Sequence, residues 1–210
     1  MRVDIWADIV CPYCYIGSSR FSRVLASFDH RDQVEVVYRS FELDPSIPRG
    51  PATPILEVLA AKYGLSPAQA RQAEAGVAAT AAAEGLEFTP DRAMGNTFDA
   101  HRLVHLSREQ DRQGPVVERL YHAYFAEGRP VFEPADLAGL AAEAGLDADA
   151  VRRALDDGSY ADDVHADESE ARSLGIGGVP FFVLDGKLGV SGAQPAETFT
   201  RALRQAWESR

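Results

Sequence analysis

Two cysteines, Cys11 and Cys14, are separated by only two residues and directly follow a short apolar run; the 210-residue chain has no others. A disulfide between them would enclose too few residues to staple a fold of this size, because that stabilisation grows with the length of the closed loop. Pro12 suits the first turn of a helix. The pair therefore lies between a strand and a helix, where reversible oxidation is a better use for it than cross-linking.

The flanking sequence predicts a strand–helix–strand unit. Residues 3–10 are apolar, as in a buried parallel strand, and residues 34–39 are rich in β-branched side chains. Between them, apolar residues recur at helical spacing. Such a unit in under 40 residues implies parallel strands joined by a right-handed crossover. Near the C-terminus, Asp185-Gly186 between two apolar runs predicts a β-hairpin, and Pro195 opens a last helix.

The middle of the chain predicts helices only. Helical patterns begin near residues 53, 66, 96, 115, 136, 147 and 160. We therefore expect an α/β fold in two domains. Residues 1–43 and 174–210 form one, and residues 44–173 form an all-helical insertion between its N-terminal βαβ unit and its C-terminal ββα unit.

Charge and hydropathy narrow the class of protein. A formal net charge of −11 argues against nucleic acid or an anionic membrane surface as a partner. No stretch approaches the uninterrupted apolar length of a membrane-spanning helix. The first eight residues lack the apolar core of a secretory signal. We therefore expect a cytoplasmic protein, and in that compartment a disulfide is more often catalytic than structural.

The spacing of the cysteines suggests a mechanism. A thiolate is the species that attacks a disulfide, and the unpaired N–H groups at a helix start favour an anion there. Cys14 lies one helical turn after Cys11 on the same face, so Cys11 can attack and Cys14 can resolve the mixed disulfide. Zinc would require two further ligands, and the five histidines lack finger spacing, so we expect no metal.

A second motif is Gly-Gly-Val-Pro-Phe-Phe-Val at residues 177–183. Because proline cannot donate to a strand ladder, Pro180 must occupy the first position of the following strand. One interpretation is a plain strand-start proline. The other is a cis-proline beside the dithiol, which leaves the backbone of Val179 free to pair with an extended substrate.

Together these features resemble the thioredoxin fold of the DsbA family. Residues 8–17, 41–43 and 96–103 are similar to its FrnE-like subgroup, which is related to 2-hydroxychromene-2-carboxylate isomerases and kappa-class glutathione transferases. The resemblance implies Cys11 as the nucleophile, Cys14 as the resolving thiol and Pro180 as the cis-proline. Those isomerases and transferases carry serine in place of the first cysteine, so the intact pair favours redox chemistry.

Other candidate site residues have competing interpretations. We expect substrate contacts from Pro12, Tyr13, Val179, Asn96 and His101. Asn96 is equally typical of a helix N-cap, and His101 of a helix-surface pair with His105. Asp8 is a candidate proton acceptor for the resolving thiol or a cap at the helix start. Arg20 and Arg23 would attract a thiolate or a glutathione carboxylate, or simply form a solvated helix face.

The sequence thus predicts a thiol–disulfide oxidoreductase acting on peptide or small-molecule disulfides. We expect no cofactor besides the redox-active disulfide of the protein itself. Glutathione is a candidate co-substrate, and a homodimer is a candidate assembly. Two alternatives stay open: a glutathione-dependent isomerase or transferase, and a non-enzymatic thiol redox sensor.

Overall fold

The computed structural model describes residues 1–210 and divides into two units, Met1–Leu43 with Asp162–Arg210 and Asp44–Ala161. The strands are β1 (Arg2–Ala7), β2 (Glu35–Ser40), β3 (Thr53–Pro54), β4 (Ala93–Met94), β5 (Phe181–Leu184) and β6 (Leu188–Ser191). The helices are α1 (Pro12–Ala26), α2 (Ile55–Tyr63), α3 (Pro67–Ala83), α4 (Phe98–Arg108), α5 (Gln113–Tyr121), α6 (Pro134–Glu143), α7 (Ala148–Asp156), α8 (Ala161–Ser173) and α9 (Ala196–Glu208). The predicted α/β fold with a helical insertion is confirmed.

The first unit contains a four-stranded sheet in the order β2-β1-β5-β6. Strand β1 is parallel to β2 and antiparallel to β5, so Ile5 faces Tyr38 on one side and Phe182 on the other. The βαβ unit and the hairpin are both as predicted. Asp185 and Gly186 have φ values of 52° and 67°, which are the left-handed angles that this tight turn requires.

Both faces of this sheet are covered. Phe182 packs against Phe21 of α1 and Phe199 of α9, with ring centroids 5.3 and 4.7 Å away. On the opposite face, Trp6 packs with Ala171 of α8. Because β1 is buried on both sides, its end is held rigidly, and the dithiol segment begins there.

Helix α8 belongs to the first unit, which differs from the predicted insertion of residues 44–173. The insertion ends at Ala161, one helix earlier than the sequence pattern suggested. The physical reason is Asp167, a buried carboxylate on α8. It binds the Arg39 guanidinium (Oδ1 to Nη1, 2.6 Å) and accepts from the Ser40 backbone N–H (2.9 Å). The Trp6 indole also donates to its carbonyl oxygen.

The second unit contains helices α2 to α7 and the two-residue strand pair β3–β4. The strand pair was not predicted, because two residues show no alternation. After α5 the chain forms a π-helical segment, His122–Ala126, where the sequence pattern indicated only α-helix. Arg102 of α4 is buried and donates to the Ala154 and Leu155 carbonyls at the end of α7, which fixes these helices together. None of the helices has both the length and the apolar character needed to cross a membrane.

Candidate active site

The cysteine pair lies where β1 leads into α1. Cys11 is the N-cap of α1, and its Sγ accepts a hydrogen bond from the Cys14 backbone N–H at 3.2 Å. A cysteine sulfur can cap the helix in this way because the first backbone N–H groups of a helix have no hydrogen-bond partner within the helix. Both cysteines are free thiols; Cys11 is 4% exposed and Cys14 is fully buried. Both thiols are thus buried, and Cys11 differs from Cys14 in its position as the helix N-cap.

A second segment approaches Cys11 from the start of β5. The Val179–Pro180 peptide bond is cis, and Pro180 is buried directly before the strand. The Cys11 thiol donates to the Val179 carbonyl oxygen, with Sγ and O separated by 3.7 Å. The structure thus brings together the two motifs that the sequence separates by more than 160 residues.

The environment of Cys14 opposes its ionisation. Burial raises the pKa of the Cys14 thiol well above its ordinary value, and the hydrogen bond and charge of Cys11 act in the same direction. The Asp8 backbone lowers this pKa, whereas the Asp8 carboxylate charge raises it. The resolving thiol therefore reacts only when a base removes its proton.

Asp8 precedes Cys11 by three residues and is 1% exposed. Its Oδ2 accepts a hydrogen bond from the Leu43 backbone N–H at 2.8 Å. Cys11, not Asp8, is the N-cap of α1, so the structure does not support the interpretation of Asp8 as a helix cap. The role of Asp8 as proton acceptor for Cys14 stays a prediction.

The remaining predicted residues fall into two groups. Pro12 and Tyr13 begin α1, and Tyr13 is 49% exposed beside the cysteines. Asn96 and His101 belong to the second unit. The Asn96 amide donates to the Ile47 carbonyl and accepts from a backbone N–H two residues on. His101 is 2% exposed, so its interpretation as part of a helix-surface pair with His105 is wrong. Their predicted substrate contacts stay predictions.

Two residues near the dithiol were missed or misassigned. Gly17 lies one turn after Cys14, and a Cβ there would be 3.0 Å from Pro180 Cγ. A glycine inside a helix is itself a signal of close backbone approach. Arg20 donates to the Ala193 and Gln194 carbonyls rather than forming a solvated helix face. Nowhere do three His, Cys, Asp or Glu side chains converge as metal ligands would.

Known proteins share this architecture. The family model of the DSBA-like thioredoxin domain matches residues 2–204. The crystal structure of a probable DsbA oxidoreductase from Streptomyces coelicolor is 54% identical, with a TM-score of 0.95 over 100% of this chain and 91% of that chain.

Two more distant structures share the fold. A 2-hydroxychromene-2-carboxylate isomerase is 16% identical, with a TM-score of 0.76 over 100% of this chain and 97% of that chain. The cytosolic disulfide reductase DsbM from Pseudomonas aeruginosa, solved with glutathione, is also 16% identical, with a TM-score of 0.65 over 99% of this chain and 100% of that chain. At this identity the likeness shows the fold alone.

Proposed function

Since the chain belongs to the DSBA-like thioredoxin domain family, we propose that it exchanges a Cys11–Cys14 dithiol with peptide or small-molecule disulfides. The observation that carries the proposal is the asymmetry of the pair. Cys11 caps a helix and receives a backbone N–H, whereas Cys14 is fully buried behind it. A thiol at a helix N-terminus, where backbone N–H groups favour the thiolate, followed one turn later by a second thiol is the arrangement that two-step exchange needs.

In the reducing direction, the Cys11 thiolate attacks one sulfur of the substrate disulfide. A mixed disulfide forms and the other substrate sulfur leaves as a thiolate. Cys14 then loses its proton and attacks Cys11 Sγ, which releases the second substrate sulfur and leaves a Cys11–Cys14 disulfide. The substrate gains two electrons and the dithiol loses two. The same steps in reverse oxidise a substrate dithiol.

Asp8 is proposed as the proton acceptor for Cys14. Its carboxylate is buried, and its charge contributes to the raised pKa of the Cys14 thiol. Transfer of the Cys14 proton to Asp8 would relieve that repulsion when the resolving thiolate is needed. A general base must lie close to the proton it removes, and Asp8 is the buried carboxylate on the segment that leads to Cys11.

The Val179 backbone and the exposed residues between the cysteines are proposed to contact substrate. The Val179 carbonyl already lies beside Cys11 Sγ, so an extended chain paired there would present its sulfur to the nucleophile. Pro12 and the half-exposed Tyr13 would form the facing wall. Glutathione is proposed as a co-substrate, supported by the distant DsbM solved with that tripeptide. The cytoplasmic location and a homodimer stay predictions.

A redox titration in glutathione buffers tests the proposal, with the thiol state scored by alkylation and mass. We expect a reversible two-electron transition between about −120 and −270 mV. In parallel, Cys14→Ser should accumulate a Cys11 mixed disulfide, and Cys11→Ser should form none. A pair that stays reduced throughout, with isomerase or transferase activity surviving Cys14→Ser, would replace this proposal by the glutathione-dependent alternative. A responsive disulfide without turnover of any substrate would indicate a sensor.

A further inference from the structure

Arg20 connects the dithiol helix to a loop on the other side of the site. It lies on α1, six residues after Cys14. Its Nη1 donates to the Ala193 carbonyl at 2.7 Å and to the Gln194 carbonyl at 2.8 Å. Charge-assisted hydrogen bonds of this length are roughly twice as strong as neutral ones. A single cationic nitrogen therefore holds two successive carbonyls of the loop between β6 and α9.

The same loop holds the proline segment. The Gly192 backbone N–H donates to the Pro180 carbonyl at 2.8 Å, and the Gln194 N–H donates back to the Gly192 carbonyl at 2.9 Å. Pro180 is thereby linked to Gly192 on one side and, through Val179, to Cys11 on the other. The position of the Val179 carbonyl against Cys11 Sγ depends on this chain of contacts.

Gly17 provides the direct contact between α1 and this assembly. A Cβ at Gly17 would lie 3.0 Å from Pro180 Cγ and 3.3 Å from Ala193 Cα. Both the proline and the loop therefore pack against the helix backbone one turn after Cys14. Gly17 sets how closely they approach, and Arg20, one turn further along, holds them in place.

We propose that Arg20 is a positioning residue that fastens the 192–194 loop to α1 and so holds the Val179–Pro180 segment in register with Cys11. This role rests on the proposed exchange function and adds a determinant of substrate class to it. An extended peptide disulfide that pairs with Val179 needs the register. A small disulfide that touches only the Cys11 sulfur does not.

The surroundings of Arg20 allow a sharp test. It lines an open groove of about 600 Å³ together with Phe28, Thr200, Arg204 and Trp207. Removing its side chain vacates the space of its guanidinium group beside the two carbonyls, and a free guanidinium ion can enter there from the groove that Arg20 lines. Arg204, on the wall of the same groove, is exposed and forms no hydrogen bond or ion pair, so Arg204→Ala is the matched control.

The experiment compares, for the pre-reduced full-length protein in a single turnover, the second-order rate constants for oxidation of the dithiol by a disulfide-bonded peptide and by a small aromatic disulfide. For Arg20→Ala we expect the peptide rate to fall about 10- to 100-fold, since a misplacement of about 1 Å can cost 100-fold. The small disulfide should react within about twofold of wild type. Millimolar guanidinium should restore part of the peptide rate. Arg204→Ala should change neither rate.

Gly17→Ala provides an independent variant, because it displaces Pro180 from the same helix. We expect it to lower the peptide rate selectively, without rescue by guanidinium. Equal losses on both substrates, or no loss for Arg20→Ala, would overturn the positioning role while exchange itself stands. If the wild type turns over neither substrate, the exchange function fails and this inference fails with it.

Discussion

Replacing Gly17 by alanine adds one methyl group at the tightest contact between α1 and the proline segment. Gly17 is buried within the helix, and its position is otherwise an ordinary helical one. The new Cβ would lie 3.0 Å from Pro180 Cγ and 3.3 Å from both Ala193 Cα and Cβ. None of these atoms is the end of a flexible side chain, so the backbone must shift to admit it.

Two effects of opposite sign determine the result. Alanine is better than glycine in a helix interior by about 1 kcal/mol, which raises the free energy of unfolding. Overpacking a close contact costs about 1–3 kcal/mol, which lowers it. The second effect is the larger here because ring and backbone atoms crowd the site. We expect Gly17→Ala to lose about 1 kcal/mol of stability overall.

Gly76→Ala is the control. Gly76 lies inside α3, is exposed, and has nothing within 4 Å of a Cβ built on it. With no crowding, it should gain up to about 1 kcal/mol from helix propensity alone. Urea unfolding followed by tryptophan fluorescence reports the first unit, because both tryptophans, Trp6 and Trp207, lie there. Far-UV circular dichroism follows the helices of both units, including α3, which contains Gly76.

The two variants should therefore move in opposite directions. If Gly17→Ala stabilised the protein as Gly76→Ala does, the close approach of α1 to Pro180 would not exist in solution. Gly17 and Arg20 would then not hold the proline segment against α1.

Three further predictions concern ionisable groups. Because burial raises the pKa of the Cys14 thiol, release of the mixed disulfide in Asp8→Asn should accelerate about tenfold per pH unit over about pH 6–9, whereas the wild type, with Asp8 to accept the proton, should show a shallower slope; equal single-turnover slopes would contradict the role of Asp8. Glu74→Ala should cost about 3–5 kcal/mol in urea unfolding because it strands the buried Arg92 charge, whereas the exposed Asp149→Ala should stay within about 0.5 kcal/mol. Hydrogen bonds from arginines lower the pKa of Glu127 from 4.5 to about 2. The contribution of Glu127 to the free energy of unfolding is therefore fully present above pH 4.5 and is lost as the pH falls towards 2. Glu127→Gln should remove that pH-dependent loss, which solvent screening limits to about 1 kcal/mol. Urea unfolding of both proteins at a series of acidic pH values measures the difference.

Local signals predicted much of the fold. The resemblance to the DsbA family is confirmed by the match over residues 2–204. Ser66 forms a full capping box with Gln69 at the start of α3, and Asp185-Gly186 forms the expected turn. Capping, turn geometry and helical periodicity depend on residues a few positions apart, so they can be read without the fold.

The division of the chain was harder to predict. Helix α8 shows the same acidic, alanine-containing pattern as its neighbours in the insertion. Its ties to the sheet are contacts between residues distant in sequence, such as the pairing of Asp167 with Arg39, 128 residues away, and the hydrogen bond from the Trp6 indole to the Asp167 carbonyl. From the amino-acid sequence alone, a carboxylate that will be buried cannot be distinguished from one at the surface until its partner is known.

By itself, the sequence determined that two thiols lie one helical turn apart at the start of a helix, because strand, proline and spacing are local properties. The tertiary structure decided how deeply each thiol is buried and what surrounds the pair. Burial of Cys14, the Asp8 contact with Leu43 and the Arg20 clamp all join segments distant in sequence. Desolvation and hydrogen-bond geometry arise only when those segments pack, so the chemistry of the site follows from the fold.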